Sequence, residues 1–191
     1  MYPDLYLMRH GQTVWNAEGR MQGRLDSPLT ALGIAQARAQ ARLVAGIEAH
    51  RFASPQGRAQ QTARIVFEGQ PFQTDSRLAE IDIGSFSGRL YPDLAAARPD
   101  LFGGPTYDWY DHAPGGEGFA GLMARARAFL GDLTGPALIV THGITLRMLR
   151  LIAMGWEMPR FAELPQHQGA VQVVRNGRHE IWQDEIWQDR G

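Results

Sequence analysis

Two apolar runs punctuate an otherwise mixed chain. Asp4-Leu5-Tyr6-Leu7-Met8 and Ala137-Leu138-Ile139-Val140-Thr141 are short, continuous and rich in strand formers, the pattern of buried strands. Elsewhere the apolar period is helical. Leu32, Ala35, Ala39, Leu43 and Ile47 recur at helical spacing behind Thr30, a suitable N-cap, with Arg38 and Arg42 one turn apart on another face; a helix is predicted over 31–49. Further helices are predicted over 57–67, 119–133 and 144–154, the last ending at Gly155. Short strands are predicted over 52–54, closed by Pro55, and over 72–75. Residues 171–174 and 180–182 read as a hairpin turned at Asn176-Gly177, a pair that accepts positive φ at both turn positions.

Two stretches lack a period. Residues 9–27 are polar and glycine-containing and read as a long loop, which in a compact domain is usually functional. Residues 76–118 carry Pro92, Pro99, Gly103-Gly104-Pro105 and Pro114-Gly115-Gly116, with aromatics from Phe102 to Phe119, and read as an insertion or lid on the main sheet. Strands alternate with helices over the rest. The expected class is therefore α/β: three layers, a largely parallel central sheet with helices on both faces, and the lid-like insertion, all in one domain spanning 1–191. The tail repeats itself, with Glu180-Ile181-Trp182-Gln183-Asp184 followed by Glu185-Ile186-Trp187-Gln188-Asp189. A period of five fits neither a helix face nor a strand face, so Trp182 and Trp187 should not align. The apolar tail is also where two copies could pair as a homodimer.

Composition narrows the chemistry. The chain has 191 residues, 44% of them hydrophobic, and a net charge of -1, so no global basic field invites nucleic acid. Cysteine is absent, which removes disulfides, thiolate nucleophiles and Cys-ligated metals. All 19 basic residues are arginine, so no lysine serves as Schiff base, phosphate ligand or general base. No 18-residue apolar run or signal-like start appears, and a cytoplasmic protein away from membranes is expected.

Ligands of open α/β sheets bind beyond the carboxyl ends of the strands. Here the first strand runs into Arg9-His10-Gly11 and the later one into Thr141-His142-Gly143. Each glycine would let backbone approach a ligand, and the helix after Gly143 would aim its first amides at the same place. Arg58 follows the strand end at Ser54-Pro55 within one helical turn. Two guanidinium groups and two imidazoles converging on one point make a poor core, because buried cations require an anion. A phosphoryl group supplies one whose oxygens match guanidinium forks.

The motifs around these residues resemble those of the histidine phosphatase superfamily, the phosphoglycerate mutase-like proteins. Arg9-His10-Gly11-Gln12-Thr13 with Asn16 is similar to its first signature, and Gly19-Arg20-Met21-Gln22-Gly23 to the loop that follows. Asp26-Ser27-Pro28-Leu29-Thr30 with Gly33 resembles its entry to the first helix, and Ser54-Pro55 through Arg58 to Thr62-Ala63 its second arginine motif. Leu78-Ala79-Glu80-Ile81-Asp82, Pro114-Gly115-Gly116-Glu117 and Thr141-His142-Gly143 complete the set in order. The likeness covers roughly residues 4–175.

The resemblance implies a phosphohistidine mechanism without a metal or cofactor. His10 would attack phosphorus; Arg9, Arg58 and His142 would clamp the equatorial oxygens; Asn16 would add a neutral hydrogen bond, with Gln22 and Gly143 as further substrate contacts. His10 then needs a neutral ring whose other nitrogen is held by a backbone carbonyl, while His142 is better cationic, so opposed environments are expected. Glu80 and Asp82, two apart, both qualify as proton donor to the leaving oxygen; the family pattern favours Glu80 and leaves Asp82 to pair with an arginine.

Two positions depart from the family pattern: Phe86-Ser87 stands where Trp-Glu is common, and Gly118 where serine often follows Pro-Gly-Gly-Glu. The family's mutases also carry a longer insertion with paired arginines and lysine, whereas 85–118 here hold only Arg89 and Arg98. Transfer to water, on a small phosphomonoester, is therefore expected over transfer between hydroxyls or mere phospho-ligand binding. The six histidines show no metal-ligand spacing. Tyr107, Trp109 and Tyr110 read as an insertion mini-core before a ring-stacking site.

Overall fold

The computed structural model describes residues 2–105 and 107–184. In chain order the elements are β1 (Leu5–Arg9), α1 (Val14–Ala17), α2 (Ala31–Leu43), β2 (His50–Ala53), α3 (Gly57–Val66), β3 (Gln73–Thr74), α4 (Tyr91–Ala97), α5 (Pro99–Phe102), α6 (Gly118–Gly131), β4 (Ala137–Thr141), α7 (Gly143–Ala153), β5 (Val171–Arg175) and β6 (Arg178–Trp182). The second copy of the tail repeat lies outside the described residues; the first forms the end of β6 and the two residues beyond it.

One six-stranded sheet runs β3-β2-β4-β1-β5-β6. The pairings among β1, β2, β3 and β4 are parallel. Those of β5 with β1 and with β6 are antiparallel, so the largely parallel sheet carries a mixed edge. The alternation along the central strands explains the layers. Leu5, Leu7, Ala137 and Ile139 face a core shared with Phe129 and Leu130 of α6 and Leu146 and Leu149 of α7. Tyr6, Met8, Leu138 and Val140 face the opposite core, built with Ala37 of α2 and Ala59, Ala63 and Val66 of α3. Both strands thus bury both faces, which is why they read as continuous apolar runs.

Helix α2 stops well short of 49. Gly46 takes φ 75° in the turn that follows, and Ile47 reaches the core from that turn rather than from a helix face. The Asn176-Gly177 turn has φ 50° and 71°, as its sequence predicts. The segment 76–118 holds α4, α5 and short 3-10 turns, and its Leu78, Ile81, Ile83, Phe86, Leu94 and Trp109 join the α6–α7 core. Among the described residues no helix is long and apolar enough to cross a membrane.

Candidate active site

Register places the site. β1 and β4 are in step, Arg9 opposite Thr141, so His10 and His142 leave neighbouring strands at one level. β2 pairs Ala53 with Val140, which brings Ser54 beside His142. The two imidazole centroids are 5.2 Å apart. A cavity of about 150 Å³ opens here, lined by Arg9, His10, Asn16, Gln22, Arg58 and Glu80 together with Arg20, Met21, Ile81, Ile83, Trp109, Tyr110, Ile144 and Gln166. His142 does not line it; it is fully buried against His10.

The tautomer of His10 follows from its partners. Nδ1 is 2.8 Å from the Gly11 carbonyl, which only accepts, so Nδ1 carries the proton. Arg58 Nε donates to Nε2 at 3.2 Å, so Nε2 presents its lone pair. His142 shares a 2.6 Å hydrogen bond between Nε2 and the buried Ser54 hydroxyl, while its buried Nδ1 has no partner among the described residues. Burial, followed by the nearby Arg58 charge, holds both histidines well below the usual imidazole range. Both rings are thus lowered alike by burial and then by Arg58; the contrast expected between them belongs to the state with a dianion bound.

Arg58 is held by the carbonyls of Leu25 (2.7 Å) and Gly23 (3.0 Å) and by Asp26 (3.2 Å). Arg9 donates to the Gln166 carbonyl at 3.3 Å, but its buried Nε has no partner, and among the described residues it forms no ion pair. Burial pulls both guanidinium groups below their ordinary value and the Glu80 charge opposes it. An uncompensated cation on a cavity wall calls for an anionic guest.

Glu80 sits on the end of α7. Its carboxylate accepts from the Ile144 amide (3.2 Å), the Thr145 amide (3.1 Å) and its neighbour Ile81 (3.0 Å), while the Thr145 hydroxyl, 3.1 Å away, gives its one proton to the Ala79 carbonyl at 2.8 Å. The helix amides expected to face the ligand are therefore largely taken by a protein carboxylate. Among the described residues Asp82 does not pair with an arginine; it accepts from the Gly84 amide at 2.8 Å and shapes the turn after it. A Cβ on Gly11 would strike the Gly33 carbonyl, and one on Gly143 the Gln166 side chain, so both positions need glycine for close packing against neighbouring protein. Asn16 Oδ1 accepts from Thr13 N and from Gln168, and lines the cavity. Gln22 is buried with its Oε1 unpartnered, on the same wall. Trp109 and Tyr110, stacked at 3.7 Å, are both mini-core and cavity wall. Burial, then Glu80, pushes the Tyr110 hydroxyl above its ordinary value.

Gln166 and Gln168 were not legible as site residues. They precede β5, and Gln168 donates to the His10 carbonyl at 3.1 Å. Because β5 runs antiparallel to β1, its entrance rather than its exit lies at the functional edge. The glycine-ended polar run Pro165-Gln166-His167-Gln168-Gly169 is the one signal that pointed there.

An α/β sheet whose strand ends gather two imidazoles and two guanidinium groups defines an anion-handling site of the kind that turns over phosphoryl groups. A sequence profile of the histidine phosphatase superfamily (branch 1) matches residues 5–189. The probable phosphoglycerate mutase GpmB of Enterobacter sp. (strain 638) is 41% identical over 172 residues, 83% of this chain and 77% of that protein. The alpha-ribazole phosphatase from Shigella flexneri superposes with a TM-score of 0.80 at 27% identity, over 94% of each chain. The mycobacterial glucosyl-3-phosphoglycerate phosphatase, solved with VO3, gives 0.80 at 26% identity over 94% of this chain and 98% of that one. The chain belongs to the histidine phosphatase superfamily.

Proposed function

We propose that this protein hydrolyses small phosphomonoesters without a metal, through a phosphohistidine on His10. The observation that carries the reading is the tautomer: Nδ1 bound to a carbonyl leaves Nε2 as the free base, at the wall of a cavity flanked by two guanidinium groups. His10 Nε2 forms the bond to phosphorus as the ester P–O bond breaks, and Glu80, protonated, gives its proton to the leaving alkoxide. Water then attacks phosphorus, loses a proton to Glu80, and the P–N bond breaks to release phosphate. Arg9, Arg58 and His142 hold the equatorial oxygens, with Asn16, Gln22 and the Gly143 amide as further contacts. The substrate dianion supplies the charge that favours a cationic His142. The segment 76–118 serves as a wall or lid over the leaving group, and the modest cavity suits a small one.

Mixing with p-nitrophenyl phosphate and quenching in alkali should trap a base-stable, acid-labile phosphoenzyme on His10, with a burst of nitrophenol and inhibition by vanadate. Turnover with no such intermediate, or activity lost on chelation and restored by a divalent ion, would remove the reading. The mutase reading draws on the relative named above. Against it, Arg98 of the insertion is tied to Asp100 at 2.7 Å and neither Arg89 nor Arg98 lines the cavity. Rapid conversion of 3- to 2-phosphoglycerate without phosphate release would put the mutase in its place.

A further inference from the structure

Gln56 is the N-cap residue of α3, yet its side chain does not cap that helix. Both ends of its amide are committed elsewhere. Nε2 donates to the Gly23 carbonyl at 2.9 Å, and Oε1 accepts from the Glu80 backbone amide at 2.7 Å. The Gly23 carbonyl is also one of the acceptors that hold Arg58. The backbone amide of Gln56 reaches the Ser54 hydroxyl at 3.4 Å, the partner of His142. One half-buried side chain thus ties the segment bearing Glu80 to the loop that fixes Arg58. Glu80 is anchored from both directions, its main chain by Gln56 and its carboxylate by the first turn of α7.

We propose that Gln56 is a positioning residue for proton transfer, setting the distance between the Glu80 carboxyl and the phosphoryl group held by Arg58. The proposal rests on the reading of Glu80 as proton donor. Proton transfer tolerates little displacement: a misplacement of about 1 Å can cost on the order of a hundredfold. Arg58 keeps its direct bonds to Leu25 and Asp26, and to a Gly23 carbonyl that loses only its second donor, Gln56.

The test compares two leaving groups. An alkoxide needs a proton as it departs, whereas nitrophenolate does not. The quantity to measure is kcat/KM for glycerol 3-phosphate and for p-nitrophenyl phosphate. It covers steps only through P–O cleavage, so the shared breakdown of the phosphoenzyme does not enter. Gln56→Met keeps the length and loses both bonds, and the alkyl-to-aryl ratio should fall by about tenfold or more, with the aryl rate within about threefold of wild type. Gln56→Glu keeps the acceptor for the Glu80 amide; it should lower both substrates together and hold the ratio within about threefold. Gln56→Asn, which retains the amide but cannot span both partners, should repeat the Met result and serves if Gln56→Met does not fold. Glu80→Gln is the reference. A collapsed ratio there beside an unchanged ratio in Gln56→Met and Gln56→Asn overturns the proposal alone, as does an equal loss on both substrates. An unchanged ratio in Glu80→Gln overturns the proton-donor reading, and the proposal with it.

Discussion

After β1 and after β4 the chain reads histidine, then glycine, and the two rings end up side by side with different surroundings. His10 has a carbonyl at one nitrogen and a guanidinium N–H at the other, so its protonation pattern is dictated by groups that cannot change role. His142 has a serine hydroxyl, which donates or accepts, at one nitrogen and nothing at the other. One ring is held in a single neutral form with its lone pair accepting from Arg58 at the cavity wall; the other keeps a nitrogen that nothing among the described residues engages. The partner atoms distinguish the two rings, while the shared His-Gly dipeptide sets only the location.

The sharpest way to break this comparison is to remove each ring. His10→Ala should lower kcat by at least about a thousandfold and abolish the trapped phosphoenzyme, because no other group supplies the lone pair. His142→Ala should cost about a hundredfold, as for loss of one transition-state donor, while the phosphoenzyme is still trapped. If His142→Ala loses the intermediate and His10→Ala keeps it, the two assignments must be exchanged.

Stability against pH gives a smaller effect. Both histidines bind their protons less readily folded than unfolded, so the unfolded chain takes up protons first as pH falls below about 6.5. The stability is fully present above that value and is lost below it, with a slope of up to about 1.4 kcal/mol per pH unit for each ring, toward the depressed folded values. His179, lowered by burial beside Arg150, adds a contribution common to all variants. Denaturant unfolding from pH 8 to 5 should therefore be clearly less pH-dependent in His142→Asn than in wild type, and vanadate should offset part of the wild-type loss. Parallel slopes would mean that His142 takes up its proton equally readily in the folded and unfolded chains.

The smallest change is Ser54→Ala. It leaves His142 buried without a fixed partner and should lower kcat/KM by about tenfold, on the strength of one lost buried hydrogen bond. A wild-type rate would show that packing alone orients the ring.

The sequence was most legible where period and position coincide. β1 and β4 are covered on both faces, so their unbroken apolar runs mark them, and the histidines follow at once. The Asn176-Gly177 turn is local chemistry and needs no tertiary knowledge. What could not be read depends on long-range geometry. The antiparallel course of β5 decides that Gln166 and Gln168 join the site, and no local pattern encodes strand direction. Helix α2 ends early because Gly46 turns the chain while Ile47 keeps a half-buried position that mimics helical spacing. Glu80 was named by motif, but its anchoring on the α7 amides requires Thr141 and Thr145 to grip the Leu78 and Ala79 carbonyls, contacts across more than sixty residues.

The in-step ladder between β1 and β4 has one more consequence. Adjacent strands sit about 4.8 Å apart by backbone bonding alone, and the two rings, one residue past that ladder, have centroids 5.2 Å apart. The spacing of the two imidazoles is thus a ruler cut by the sheet. Surrounding loops, which donate Gln22, Tyr110 and Gln166 to the cavity wall, can be rewritten without recalibrating it.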